Sequence, residues 1–500
     1  MKDLLLGIDV GSGGCKISII DSKGQFVASG TSEVTTYHEH PNWSEQNPSE
    51  WYDAVKKALG SAIQNNGINP ADIIGIAVDA PTHNAVILDE EMKVIRNTIM
   101  WNDSRSFKES QWLMEKHGEE IIEISFNPPS PTWTLPQLLW VKNNEPEVHE
   151  KIRHIMFAKD YIRFMLTGTW ETDSIDAMGS MFLDAKNKKW SKRLCELASL
   201  SVEMMPPIKE PHEVAGGVIP KAAEDLGLTA GTPVIVGTSD TAIECFAAGA
   251  VSTGQCVVKM ATAATINLPT TGPRPSPKTA TYYYVVPDMW YAITGTNSAA
   301  LSMRWFRDLF YADKENAYEL IDKMAGEIEP GSNGLIFHPY LLGERAPYWD
   351  PNLRASFIGV SIFHKIGHFG RAVMEGVTFS VRDMLIMFDK MGLSYDDIRF
   401  VGGAAKSSIW CGILADTTNK PVYKLENGDS SYGSAMLAGV GVGVFESALD
   451  AVEKCVRVSQ KFMPNEKNVK VYDEMFVFYK KIQADMSETY TKLATFLEQK

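Results

Sequence analysis

Val401-Gly402-Gly403-Ala404-Ala405-Lys406-Ser407-Ser408-Ile409-Trp410 compresses a strand end, a glycine turn and a helix start into one run. A helix start offers its unpaired N–H groups to an anion, and adjacent glycines let a flat or phosphorylated ligand approach the backbone. Gly402, Gly403 and Ser407 therefore outline a nucleotide site. Glycines at a strand-to-helix turn also serve packing alone, so the run needs support from elsewhere.

That support comes from the N-terminus. Leu4 to Asp21 reads as two apolar, β-prone runs joined by Gly11-Ser12-Gly13-Gly14, which predicts a hairpin with a functional tip. Backbone N–H groups of Gly11 and Gly13 can form a nest for phosphate oxygens, Ser12 adds a hydroxyl, and Lys16 can neutralise charge. Asp9 beside phosphates makes sense if it holds Mg²⁺, the water shell of that ion, or a substrate hydroxyl. The plain alternative is a tight hairpin with a solvated Asp.

Five hundred residues exceed one compact core, so two domains with a cleft between them are expected. A boundary near Gly249 to Gly254 divides the chain into residues 1–249 and 250–500. Strand-like runs (Ile74 to Val78, Ala85 to Leu88, Pro233 to Val236) alternate with helical ones, an α/β pattern. Trp51 to Gln64 has helical spacing behind Pro48 and Ser49. Gly254 to Met260 and Trp290 to Thr294 resume strand character, so the second half repeats the β-rich opening of the first. Ile266 to Lys278 reads as a loop, Arg371 to Met391 as a long amphipathic helix, and Met463 to Lys500 as a mostly helical charged segment.

The balance of 48 basic and 62 acidic residues gives 48 − 62 = −14. That charge argues against nucleic acid and anionic membranes as partners, and anionic ligands must be captured locally. No apolar run spans a bilayer, and Met1-Lys2-Asp3 leads straight into a short strand, so a cytoplasmic location is expected. The six cysteines lack metal spacing and are expected to be reduced and buried. His38-Glu39-His40 has no further spaced ligand and reads as a solvated loop.

Asp240 lies in the first turn of a helix that follows Val234-Ile235-Val236-Gly237-Thr238-Ser239. By itself such an Asp reads as a cap or dipole partner. His83, in Thr82-His83-Asn84, reads alone as a structural hydrogen-bonder, and Trp101 as core packing.

Taken together these segments resemble the FGGY family of carbohydrate kinases, of the actin-like ATPase superfamily. Asp9-Val10-Gly11-Ser12 is similar to its first phosphate loop, with Ser for Thr. Pro41 to Pro48 with Trp51 resembles a loop of its pentulose kinases. Trp101-Asn102-Asp103-Ser104-Arg105 resembles its Trp-x-Asp-x-Arg segment. Gly343-Glu344-Arg345-Ala346-Pro347, with Asp350, Arg354 and Gly359, resembles its C-terminal half, and Gly402 to Ser407 with Trp410 and Ala415-Asp416 its adenosine signature.

The resemblance implies two actin-like (ribonuclease H-like) domains closing on ATP and a small sugar, with a homodimer admitted. It makes Asp240 the base that accepts the hydroxyl proton. Asp9 and Asp240 would meet Mg²⁺ through water. Asp9, Thr82, His83, Trp101, Asn102, Asp103 and Asp240 would contact the sugar, the aromatic face meeting C–H groups. Thr262 aligns with the second phosphate loop, though Ala261 and Ala263 stand where the family has Gly before the Thr and Ser or Gly after it. Glu344 and Arg345 are expected to form a structural ion pair. Xylulose is the expected sugar, with ribulose, a hexulose or a glycerol-like polyol open because Thr82-His83-Asn84, Gln137 and Ser239-Asp240-Thr241 depart from the pattern. The rival reading is a non-catalytic actin-like nucleotide-binding protein.

Overall fold

The structure, a computed structural model, describes residues 3–498. Met1 and Lys2, and the last residues of the expected C-terminal helix, lie outside the described residues.

The chain forms two compact units. Met1–Val251, Thr271–Tyr291 and Asn427–Val456 make the first, and Ser252–Thr270, Ala292–Glu426 and Arg457–Lys500 the second. The first crossing follows Val251, beside the division expected at 249/250, and two later segments return to the first unit.

In the first unit, Leu4–Gly11 and Gly14–Asp21 form the expected hairpin, and Phe26–Glu33 extends it. Ile73–Ala80 lies parallel on the other side, so Asp9 and Asp79 are direct neighbours. Pro233–Ile235 and Thr238–Ser239 continue along that strand, and Val214–Gly217 closes the edge. Apolar side chains alternate into the core: Leu4, Leu6, Ile8, Ile17 and Ile19 are buried.

Helix Pro48–Asn66 starts where the Asn47 side chain accepts the Ser49 N–H at 3.0 Å and ends at Gly67, whose φ is 60°. The cap is thus one residue earlier than Pro48, the predicted start. Trp51, Val55 and Leu59 bury one helical face, each contributing about 1.5–3 kcal/mol. The helix packs tightly on the sheet: a Cβ on Gly30 would lie 1.9 Å from the Ala58 carbonyl oxygen. Helix Ser430–Gly441 seats as closely, since a Cβ on Gly7 would lie 1.9 Å from the Ser431 carbonyl oxygen.

The second unit repeats the opening. Gly254–Met260 and Ala264–Thr270 form a hairpin, Tyr395–Val401 runs parallel to the first of them, and Val422–Leu425 and Val458–Phe462 follow. The loop expected from Ile266 therefore begins later. Pairing of Val258 with Ile266 and Val257 with Asn267 extends the strand into that Pro- and Thr-rich stretch. Helix Ile366–Lys390 begins before the predicted Arg371, and the C-terminal helix begins at Glu466. All six cysteines are free and buried. Among the described residues no helix is long and apolar enough to cross a membrane.

Candidate active site

In the first unit the Gly11–Gly14 turn is held by its oxygens. The Ser12 carbonyl accepts from Gln46 Nε2 at 2.6 Å and Thr36 Oγ1 at 3.3 Å, while Ser12 Oγ accepts from Trp101 Nε1 at 2.8 Å. Gly13 is exposed, and a Cβ there would meet nothing within 4 Å. Trp101 is not core packing: it is 42% exposed, and its indole N–H fixes the turn.

Beside this turn, carboxylates gather at the C-terminal ends of parallel strands, where open α/β sheets bind ligands. Asp9 and Asp79 are register partners, and Thr238, also paired with Asp79, leads to Asp240. Asp240 opens helix Asp240–Ala247, and its Oδ1 accepts from Thr241 N at 2.6 Å and Thr241 Oγ1 at 3.2 Å. Asp9 Oδ2 accepts from Ser430 Oγ at 2.8 Å, and Lys16 pairs with Asp429 at 3.1 Å.

Asp79 is fully buried; its Oδ2 accepts from Ser434 Oγ at 2.5 Å and its Oδ1 has no hydrogen-bond partner. Burial, and next the charge of Asp9, hold its carboxyl well above the usual range, against the Ser434 bond. An orphaned carboxylate oxygen among like charges suits a divalent cation. Among the described residues no three His, Cys, Asp or Glu side chains form a cage for a metal. The arrangement fits Mg²⁺ reached through water and phosphate rather than ligated directly.

His83 has φ 60° and both backbone groups pinned: its N–H donates to Asp176 Oδ1 at 3.3 Å, and its carbonyl accepts from Thr134 Oγ1 at 2.6 Å. Its ring stacks on Trp133 at 5.4 Å, Trp133 on Tyr282 at 5.8 Å, and Tyr282 on Tyr291 at 5.3 Å. Thr281 secures this ladder by exchanging two 2.9 Å hydrogen bonds with the Asn127 amide. Burial lowers the His83 pKa to about 3, so the imidazole is neutral near pH 7 and can exchange hydrogen bonds with hydroxyls.

Asp103 differs from its expected role. It is fully buried; its Oδ2 accepts the Ser44 N–H at 2.6 Å and its Oδ1 the Arg105 N–H at 2.8 Å. The Arg105 guanidinium forks onto both oxygens, with Nη2 to Oδ2 at 2.7 Å, and lies 3.7 Å over the Trp43 ring. Asp103 thus clamps the loop that presents Trp101 and the exposed Asn102. Asn102 lines an open depression of about 400 Å³ with His38 to Ser44. Gln137 likewise turns inward, donating to the Met100 carbonyl at 3.1 Å.

In the second unit, Gly402 has φ 91°, and a Cβ would sit 2.5 Å from the Met260 carbonyl oxygen, so the backbone itself requires glycine. At Gly403 a Cβ would meet nothing within 4 Å. Ser407 caps helix Ser408–Thr418 by accepting the Trp410 N–H at 3.1 Å. The Thr262 carbonyl accepts from Ala299 N at 2.9 Å and Leu301 N at 3.2 Å, fixing the turn to the start of helix Ala300–Phe310. Glu344 bonds chiefly to donors other than the Arg345 side chain, accepting from Thr296 Oγ1, Asn297 N, Arg345 N and Ser380 Oγ.

The description of the FGGY family's N-terminal domain matches residues 4–247, and that of its C-terminal domain residues 253–442. The chain belongs to the FGGY family of carbohydrate kinases. This FGGY kinase is 33% identical to the xylulose kinase of Bacillus subtilis strain 168, over 98% of its own length and 99% of that protein. Its fold superposes on the crystal structure of xylulose kinase from Rhodospirillum rubrum with TM-score 0.89 and 27% identity, covering 98% of this chain and 100% of that one. It also superposes on gluconate kinase from Lactobacillus acidophilus with TM-score 0.91 and 25% identity, covering 99% and 100%. The kinase is a phosphotransferase with an alcohol acceptor and has the two actin-like α/β domains of its family.

The structure gathers Asp9, Ser12, Lys16, Trp101 and Asp240 around the first unit's strand ends, with Thr82 and His83 on the adjoining loop. Asp79 was missed, although a charge closing the apolar run Ile73–Val78 was its signal. Trp133 and Tyr282 carried no local signal, because only tertiary packing stacks Trp133 on His83 and Tyr282 on Trp133.

Proposed function

We propose that this kinase transfers the γ-phosphate of ATP to a hydroxyl of a neutral pentulose, with xylulose the foremost candidate. The observation that carries the reading is Asp240 at a helix start beside Asp9 and Asp79, where a hydroxyl can lose its proton as phosphate arrives. Gly11, Ser12, Gly13 and Lys16 face the phosphates, and Thr262 adds a second phosphate contact. Gly402, Gly403 and Ser407 shape the adenosine seat. Mg²⁺, when bound, neutralises the β- and γ-phosphates, and Asp9 and Asp240 are suited to hold its water shell. His83 and the Trp101 loop orient the sugar.

Full-length similarity to a xylulose kinase supports the pentulose, and the site's charge supports neutrality. Asp9, Asp240 and Asp429, whose charges also raise the Asp79 carboxyl, would repel the carboxylate of a sugar acid such as gluconate. The kinase draws on ATP, and we assign it to the cytoplasm. The test is ADP release with Mg-ATP across xylulose, ribulose, hexuloses, glycerol and gluconate. The highest kcat/KM is expected for xylulose; a preference for gluconate would overturn the argument from charge.

A further inference from the structure

Lys159 is fully buried, with its ammonium against three carboxylates: Asp160, Asp173 at 3.0 Å and Asp176 at 3.3 Å. Burial opposes its charge, but the three Asp groups outweigh it and keep the ammonium protonated. From this cluster two hydrogen bonds leave in different directions. Asp176 Oδ1 accepts the His83 N–H at 3.3 Å, holding the loop in its left-handed backbone conformation. Asp173 Oδ2 accepts from Thr238 Oγ1 at 2.7 Å, two residues before Asp240. Arg163 reinforces the second branch, bonding Asp160 at 2.8 Å and the Val236 carbonyl at 3.0 Å.

A buried ion cluster is a poor source of stability, because desolvation offsets the attraction. It does give fixed geometry, since each carboxylate has few alternative partners in the interior. We propose that Lys159 is a positioning residue that sets the His83 loop and the Asp240 turn in register with each other, so that hydroxyl and base meet at reacting distance. The proposal rests on the roles given above to His83 and Asp240. It adds that Thr238 acts on turnover and Asp176 on sugar affinity through one shared hub.

The test uses Thr238→Val and Asp176→Ala in the full-length enzyme, each removing one branch while Lys159 keeps its other partners. Misplacement of a reacting group by about 1 Å costs roughly 10²-fold. Thr238→Val is expected to lower kcat by about tenfold to a hundredfold with sugar KM nearly unchanged. Asp176→Ala is expected to raise sugar KM about tenfold with ATP KM unchanged. The double variant should lose less than the product of the two, because both act through Lys159. Active-site titration normalises for folded enzyme, so a merely structural role would leave KM and per-site kcat at wild-type values and overturn the proposal. Asp240→Asn and His83→Ala are measured alongside. If they abolish turnover and raise sugar KM while the branch variants are normal, the hub fails and the site reading stands; if Asp240→Asn turns over normally, both fall.

Discussion

The two glycine turns are positioned by different physics. In the first unit Gly11–Gly14 is steered by side chains: Gln46, Thr36 and Trp101 grip the oxygens of Ser12, and charged groups crowd the strands behind it. In the second unit Gly402 is fixed by its backbone, with φ 91° and the Met260 carbonyl where a side chain would start, against an apolar core that includes Ala404, Ala405 and Trp410. Side-chain networks place charge where protons move, whereas a rigid backbone suits a ligand read by shape. Substitutions in the first unit should therefore change rates and pH dependence, and those in the second should change nucleotide affinity or folding.

The largest expected effect breaks the chemical half of that contrast. Asp240→Asn keeps the shape of the helix start but cannot accept a proton. Loss of a positioned base costs about 10²–10⁴ in rate. Sugar-dependent ADP production should fall by that factor while calorimetry still shows Mg-ATP and sugar binding. Loss of folding instead would make Asp240 a helix cap, and normal turnover would remove it from the chemistry.

Adjacent glycines sharpen the other half. Gly402→Val meets both an unfavourable φ and a carbonyl at 2.5 Å, so it should lose about 1–3 kcal/mol from backbone strain alone and melt earlier. Gly403→Val has open space around its Cβ. It should melt as the wild type does but bind ATP about tenfold more weakly if adenosine occupies that space, a difference of about 1.4 kcal/mol. Equal ATP affinity in Gly403→Val would move the nucleotide elsewhere.

Both turns were legible in the sequence because strand, glycine and cap are local signals. Asp103 was legible too, and was misread. Arg105 lies two residues on, close enough to pair, yet the resemblance suggested a sugar contact; the observed fork makes Asp103 the clamp of its own loop. Asp79 and the Lys159 cluster were not legible, because their partners come from distant segments: Asp9 and Ser434 for one, Asp173 and Asp176 for the other. No periodicity announces that an acidic side chain will be enclosed by others. The strand that replaced part of the predicted loop at Ile266 has a local cause instead: hairpin pairing with the preceding strand Gly254–Met260 overrode Pro and Thr composition.

The smallest effect compares two buried carboxylates that differ only in what faces them. Asp79 has one donor and carboxylate neighbours, whereas Glu344 accepts from two backbone N–H groups and two hydroxyls. An amide suits the first environment, because its NH₂ can face Asp9. In the second, the NH₂ of Glu344→Gln would face donors and leave at least one unsatisfied, at about 1–3 kcal/mol. Asp79→Asn should thus raise the melting temperature of the free enzyme at pH 8 and Glu344→Gln should lower it. The sign with pH follows from the raised folded-state pKa of Asp79. Below the usual carboxylate range the group is neutral both folded and unfolded and makes no pH-dependent difference. As pH rises, the unfolded chain releases this proton first, so wild-type stability declines until the folded group also ionises. The advantage of Asp79→Asn over the wild type should therefore widen from pH 4 to pH 8. A constant or shrinking difference in melting temperature across that range would mean that Asp79 is not held under repulsion by its neighbours.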